Sequence, residues 1–349
     1  MPRVTAVIPT LGTNLERLRA AVDATWSQAG EIDLDVIVVV NGPALDETQA
    51  ALDARTTILT AGINLGWGGG LHTGRAATDA EFLWLVQDDS YAEDGCLREL
   101  VAALDAEPRQ GLVAPIVVRH TPENEKSPTG SYARRASWGG VLAPDGTMDH
   151  WEPRRDTPLD EIDVIPALDY VPSRGMLVRT VVWDQVGGTD LRAYPVGWVD
   201  VLLCAAVREA GYTIGLAPTA HLRHDRSAST TVALNGYVRE RGPRLLRDRD
   251  GDRGQVAAAV PLAVRDATLV SATASLLEFA HYVDRETVPR ASAEKLATQL
   301  TLMTERSERA QRELEALRGS LSWRVTAPLR RVRAALGRRR PDGADSARD

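Results

Sequence analysis

The sequence predicts an α/β protein with a doubly wound, mainly parallel sheet. Short β-branched runs such as Asp35–Val40 are almost continuously apolar, as strands covered on both faces are. These runs alternate with segments of helical spacing over the first 90 or so residues. Turn residues close each run, as in Asn41-Gly42-Pro43 and Gln87-Asp88-Asp89-Ser90.

Val4–Pro9 reads as the first strand, ended by Pro9 and a Gly/Thr/Asn turn. Leu15–Ala29 has helical spacing, with Asn14 placed to cap it. Asp35–Val40 is the second strand, Asp46–Ala54 a helix and Thr56–Leu59 a short strand. A glycine-rich stretch, Gly62–Gly74, reads as a loop, with Arg75–Asp79 as the end of a helix. Glu81–Val86 is a strand, Gly95–Glu107 a helix and Gly111–Val118 a strand. From His120 to Asp169 the chain is polar and rich in Pro and Gly; we read loops and a hairpin, with strand signals near Ser137–Leu142. Tyr170–Arg179 is strand-like, Val181–Val186 and Trp198–Ala210 are helical, and Tyr212–Pro218 is a strand.

Composition changes after residue 250. Gly251–Gly254 is a charged linker, and Ala267–Val283 and Ala291–Arg318 read as helices, the second coiled-coil-like and suited to a homodimer. Gly319–Arg340 holds seven arginines, no acid and Trp323, and Pro341–Asp349 reads as a disordered tail. The expected organisation is one domain over 1–250, a helical extension over 251–340 with a basic end, and a tail over 341–349. The basic end fits either an interfacial helix on an anionic inner leaflet or a solvated tail that binds a partner.

With 44% hydrophobic residues the chain can bury a sizeable core, and 26% charged residues argue against wholesale disorder. A net charge of −7 argues against a general nucleic-acid binder. Two cysteines, Cys96 and Cys204, exclude a disulfide framework and a cysteine zinc cluster. The opening residues run straight into the first strand with no secretory pattern, and no long apolar run occurs. The expected location is therefore cytoplasmic, with peripheral contact at the inner face of the plasma membrane open.

Four constellations carry chemistry. Gln87-Asp88-Asp89 ends an apolar strand, where ligands bind in open parallel sheets. Adjacent carboxylates there suit a divalent ion bridging to a diphosphate, or a solvated turn. Gly62–Gly74 has six glycines in 13 residues, which suits a cradle of backbone N–H groups or a flexible loop. The dinucleotide G-x-G-x-x-G is missing from the first strand–helix turn, and no Walker motif occurs. Asp200 opens the helix after Trp198, as a cap or as a base beside a pocket. His221 and His224 follow the strand Tyr212–Pro218, as ordinary surface or core residues or as a ligand completing a metal shell.

Taken in order, these pieces resemble a family 2 glycosyltransferase of the GT-A fold over roughly residues 3–245. Val4–Thr10 resembles its opening strand, Val36–Pro43 its V-I-V-V-D-N-G-S segment and Asn64–Gly68 its N-L-G-F segment. His72-Thr73-Gly74 falls on N-x-G, Gln87-Asp88-Asp89 on the DxD motif and Trp198-Val199-Asp200 on (W/Y)-E-D. Arg208–Tyr212 matches R-x-A-G-Y, Pro218–His224 a strand ending in a metal-binding His, and Tyr237–Arg241 a Y-x-x-x-R segment. Ser320–Arg330 resembles a C-terminal tag of some polysaccharide-assembly transferases. Val40, His72, Val199, Leu202 and Ala206 depart from the family pattern, and the departures on the acceptor side imply an unusual acceptor or reduced activity.

The resemblance implies an inverting transferase, similar to rhamnosyl- and galactofuranosyltransferases, in cell-wall and cell-surface polysaccharide assembly. The donor would be a UDP- or dTDP-linked sugar, the acceptor a glycan or lipid-linked hydroxyl, and the cofactor Mg²⁺ or Mn²⁺. Asp200 would be the base, and Asp89 and His224 the metal ligands. Pro9, Thr10, Asn41, Asn64, Gly66, Gly74, Asp88 and Arg241 would face the nucleotide and its phosphates. Trp198 would be a sugar or acceptor platform, or core packing. Loss of two acids at Val40 and Val199 keeps a non-catalytic nucleotide- or sugar-binding relative as the alternative; release of nucleoside diphosphate from donors separates the two.

Overall fold

A computed structural model describes residues 2–248, except 31, 42–44, 61–63, 120–138, 144–145, 147, 152–164, 166 and 225–231, together with Glu278. The chain divides into two compact units, Met1–Tyr282 and Val283–Asp349. The second unit lies outside the described residues, so the expectations for the basic end, the coiled-coil-like helix and the tail fall there too.

The amino-terminal half alternates strand and helix. β1 (Arg3–Thr10), β2 (Asp33–Val40), β3 (Thr57–Thr60) and β4 (Phe82–Leu85) are linked by α1 (Leu15–Trp26), α2 (Leu45–Ala51) and α3 (Gly66–Arg75). The Asn14 side chain accepts the Arg17 N–H and caps α1. β5 (Ser90–Ala92), α4 (Cys96–Ala106) and β6 (Gln110–Arg119) follow, then a hairpin of β7 (Gly140–Leu142) and β8 (Met148–His150). The chain re-enters the sheet as β9 (Met176–Arg179), continues through α5 (Thr180–Val186), α6 (Val199–Glu209) and β10 (Thr213–His224), and reaches α7 (Val232–Arg247).

The eight-stranded sheet has the order β3-β2-β1-β4-β9-β6-β10-β5. β1, β2, β3 and β4 are parallel, as are β6 and β10. β9 runs antiparallel between β4 and β6, and β5 antiparallel to β10, so the sheet is mixed. The period-2 alternation of strand side chains divides the core in two. Ala6, Ile8, Val38 and Trp84 pack with Leu18 and Val22 of α1 and Leu97 and Leu100 of α4. Val7, Val39, Leu83 and Leu85 belong to the other layer, with residues of α3, α5 and α6. Burying each large apolar side chain contributes about 1.5–3 kcal/mol.

Several elements differ from the sequence expectation: β5 and α7 were not expected, the strand at Tyr170–Arg179 is confined to Met176–Arg179, and two further differences follow. The glycine-rich stretch from Gly66 is a helix, not a loop. Glycine lowers helix stability by about 0.8–1.0 kcal/mol per residue, so tertiary packing holds α3 together. A Cβ on Gly70 would lie 2.6 Å from Pro9 Cβ, and one on Gly74 2.3 Å from Val7 Cγ1. These residues let α3 lie directly against β1, where a side chain has no room. The strand expected at Tyr212–Pro218 runs on to His224, with a register shift between Ala217 and His221.

Candidate active site

The carboxyl ends of β1, β2 and β4 form one edge of the sheet. Thr10 ends β1 opposite Val40, which ends β2, and the Asn41 N–H donates to the Thr10 carbonyl at 2.7 Å. The Thr10 hydroxyl donates to Asp88 Oδ2 at 2.6 Å. Asp88 lies just past β4; burial holds its carboxyl above the usual carboxylate range, against the Thr10 hydroxyl, which favours the charged form. The Asn41 side chain is buried; its Nδ2 donates to the Gly66 carbonyl at 2.9 Å. Asn41 Oδ1 has no hydrogen-bond partner among the described residues.

Asp89 and His224 meet across this edge. Ser90 of β5 pairs with His224 of β10, which brings the preceding Asp89 carboxylate to the imidazole. Asp89 Oδ1 lies 3.3 Å from His224 Nε2, and both side chains are only 6% exposed. His221 is held elsewhere, its Nε2 3.0 Å from the Pro218 carbonyl. No group of three or more His, Cys, Asp or Glu side chains suited to a metal ion occurs among the described residues. A buried carboxylate oxygen facing an imidazole nitrogen nonetheless fits a divalent ion that fills its other positions with phosphate oxygens and water.

Asp200 is linked to the end of β4 through the segment that enters β9. β9 runs antiparallel to β4 with Met176 opposite Leu85, and the Gly175 N–H donates to the Leu85 carbonyl at 2.9 Å. The residues just before β9 therefore lie beside those just after β4. One of them, Ser173, sends its N–H and its hydroxyl to Asp200 Oδ2, each at 3.4 Å. Segment 169–173 runs along α6, with Asp169 bonded to Arg208 at 2.7 Å and the Val171 carbonyl near Cys204 Sγ. Steps of two residues along the segment match steps of four along the helix, close to its 3.6-residue turn, which brings Ser173 to the first turn. Burial pushes the Cys204 thiol up to about 12, with the Asp200 charge adding to it. Nothing in the sequence pattern marks Ser173; only the fold brings it to Asp200.

Trp198, just before α6, adopts a left-handed backbone with φ 61°. That conformation is costly for a bulky residue and persists only when its surroundings impose it. The residue is 6% exposed, and its ring lies against Gly242 of α7, where an added Cβ would sit 2.1 Å from the ring. The structure thus places Trp198 in packing contact with α7, largely out of solvent. Gly66 and Gly74 also differ from expectation. The Gly66 N–H donates to Asn64 Oδ1 at 2.8 Å and the Trp67 N–H to the Pro195 carbonyl at 3.1 Å. The head of α3 therefore uses these amides internally instead of leaving them as an open cradle, and Gly74 sits against Val7. Arg241 of α7 is buried, with Nε 3.0 Å from Glu278 Oε2 and Nη1 3.5 Å from the Tyr194 carbonyl. His72, where the family pattern has Asn, is buried with Nε2 2.9 Å from the Thr189 carbonyl and its ring against Trp183.

Among the described residues no helix is long and apolar enough to cross a membrane. No curated protein is similar enough in sequence to match the chain. Among solved structures, the chain is similar to GalNAc-T7, solved with UDP, GalNAc and Mn²⁺. The TM-score is 0.52 at 11% identity, over 69% of this chain and 48% of that one. The chain thus spans about half the length of that protein, and the likeness is one of fold: an α/β GT-A architecture. A second similar structure is the mannosyltransferase PcManGT from Pyrobaculum calidifontis in complex with GDP-Man and Mn²⁺. There the identity is 16% over 90% of this chain and 84% of that one, with a TM-score of 0.49. Residues 5–184, just over half of the chain, match the model of the family described as Glycosyl transferase family 2. With that match spanning β1 to α5, including the edge that carries Asp88 and Asp89, the chain belongs to glycosyl transferase family 2.

Proposed function

We propose that the chain moves a sugar from a nucleoside-diphosphate donor to a hydroxyl of a glycan or lipid-linked acceptor, with inversion at the anomeric carbon. The observation that carries this reading is the buried Asp89–His224 pair just past β4, supported by Asp200, which bonds Ser173 on the segment that enters β9 beside the end of β4. A GT-A relative solved with UDP, GalNAc and Mn²⁺ supports a nucleotide-sugar donor. The proposed subtype is rhamnosyl- or galactofuranosyltransferase-like, with a UDP- or dTDP-linked donor, acting in cell-surface polysaccharide assembly on the cytoplasmic side.

Asp200 Oδ2, oriented by Ser173, accepts the proton of the acceptor hydroxyl. The freed oxygen pair attacks the anomeric carbon as the bond to the diphosphate oxygen breaks. A single displacement with one base inverts that carbon, and base catalysis contributes roughly 10²–10⁴-fold. Thr10 and Asp88, joined by their hydrogen bond, and the Asn41 oxygen, which has no partner among the described residues, supply polar contacts for the nucleoside. Asp89 and His224 would hold Mg²⁺ or Mn²⁺, whose charge offsets that of the departing diphosphate.

Thermal-shift titration with UDP, dTDP and GDP, each with Mn²⁺ or Mg²⁺, tests the reading, followed by nucleoside-diphosphate release from a donor panel. A metal-dependent shift with one base and turnover of its sugar donor are expected. No shift with any of them, or binding without turnover of any donor, would overturn the catalytic reading.

A further inference from the structure

We propose that the Ser90 hydroxyl is a third protein ligand of the divalent cation at the Asp89–His224 pair. The inference deepens the glycosyl-transfer reading above and rests on it. Ser90 opens β5, directly after Asp89, and its N–H donates to the Gln87 carbonyl at 3.1 Å. The residue is fully buried. Its Oγ nevertheless has no hydrogen-bond partner among the described residues. A buried hydroxyl left unpaired works against folding, and alanine would fill the same space without that penalty. Folding alone therefore gives no reason for this oxygen, whereas a ligand that arrives afterwards does.

The strand register places the oxygen. Ser90 stands directly opposite His224 in the antiparallel pair of β5 and β10. Opposed residues of such a pair send their side chains to the same face. The next pair, Tyr91 and Arg223, goes to the other face together, with the guanidinium over the ring. The pair after it, Ala92 and Leu222, returns to the first face and packs in one cluster. Ser90 thus shares its face with the imidazole that meets Asp89 Oδ1 at 3.3 Å. The chemistry of the oxygen also fits. A hydroxyl is a hard, neutral donor of the kind that Mg²⁺ and Mn²⁺ accept, as the Ser or Thr of phosphate-binding loops does for Mg²⁺. Asp89 supplies one negative charge and Ser90 adds none. A divalent cation held there keeps positive charge for the diphosphate, which a second carboxylate in place of the hydroxyl would cancel.

The test is calorimetric titration of Mn²⁺ and of Zn²⁺ into the full chain, with UDP, dTDP or GDP present, for wild type, Ser90→Ala and Ser90→Cys. Melting curves without cation accompany it. Without cation, Ser90→Ala should melt at or above the wild-type temperature, because it removes an unpaired buried hydroxyl. With nucleotide, its Mn²⁺ affinity should fall by about tenfold, the lower range for altering a partner of a metal site. Ser90→Cys should shift preference from Mn²⁺ towards Zn²⁺ relative to wild type, because a thiolate is a soft ligand, and Ser90→Ala should not. A clear drop in the cation-free melting temperature of Ser90→Ala would show that the hydroxyl is already paired, and would overturn the inference. Wild-type Mn²⁺ affinity in Ser90→Ala would also overturn it, while leaving Asp89 and His224 as the cation site. Weaker Mn²⁺ binding in Ser90→Ala with unchanged metal preference in Ser90→Cys would overturn direct ligation. Absence of Mn²⁺-dependent nucleotide binding by wild type would overturn both this inference and the reading it rests on.

Discussion

His224 Nε2 lies 3.3 Å from Asp89 Oδ1, although 134 positions (224 − 89 − 1) separate the two residues in the chain. The contact is made by the register of β5 on β10, which sets Ser90 opposite His224. A buried carboxylate and imidazole this close are held by each other or by a shared cation. Both states need both residues.

Asp89→Ala should therefore abolish the Mn²⁺ dependence of nucleoside-diphosphate binding and weaken that binding by at least about tenfold, the lower range for disturbing a metal site. His224→Ala should do the same, and His221→Ala should not, because His221 is turned to the Pro218 carbonyl. Titration calorimetry with and without Mn²⁺ reads this directly. Equal affinities in Asp89→Ala and wild type would remove Asp89 from the metal site.

Asp200→Asn keeps the shape of the side chain and removes its capacity to take a proton. Transfer should fall by roughly 10²–10⁴-fold. Nucleoside-diphosphate affinity should stay within about twofold of wild type, the factor left by a change too small to matter in RT terms. Ser173→Ala should lower turnover more than donor affinity, because both of its bonds go to Asp200 Oδ2. Wild-type turnover by Asp200→Asn would end the base assignment.

Much of the amino-terminal half was legible in the sequence. β2 announces itself as an unbroken β-branched run, and Asn14 marks the start of α1 by capping chemistry. Asp88 and Asp89 stand out as paired acids at a strand end. α3 was hidden because its glycines are poor helix formers whose reason lies in β1, a partner far away in sequence. The antiparallel entry of β9 was hidden because direction leaves no mark on an apolar run. Ser173 was not singled out, since its meaning is spatial. Trp198 misled because an aromatic beside an acid has the same sequence signature whether it faces a substrate or packs on Gly242.

Gly74→Ala tests the close packing of α3. Intrinsic helix propensity favours Ala by about 0.5–1 kcal/mol. The new Cβ would nevertheless lie 2.3 Å from Val7 Cγ1, and a β-branched side chain in a strand has little room to turn aside. Overpacking should prevail at about 1–3 kcal/mol, lowering the melting temperature by several degrees. Gly30→Ala is the control, since nothing lies within 4 Å of its added Cβ. A melting temperature unchanged or raised in Gly74→Ala would show that β1 yields to the methyl group.

His72 makes stability depend on pH. Burial holds its imidazole below the ordinary histidine value of 6.5, against the Thr189 carbonyl contact, which acts the other way. The unfolded chain therefore binds a proton that the folded chain resists. Stability is highest above pH 6.5 and falls as the pH drops below it, with a slope of at most about 1.4 kcal/mol per pH unit from this group. His72→Asn replaces the imidazole by a side chain that does not titrate. Its melting temperature is expected to start lower at pH 8, because the contacts to Thr189 and Trp183 are disturbed. From pH 7 to pH 5 it should then decline less than wild type does. Parallel declines in the two proteins would assign the acid sensitivity to other groups.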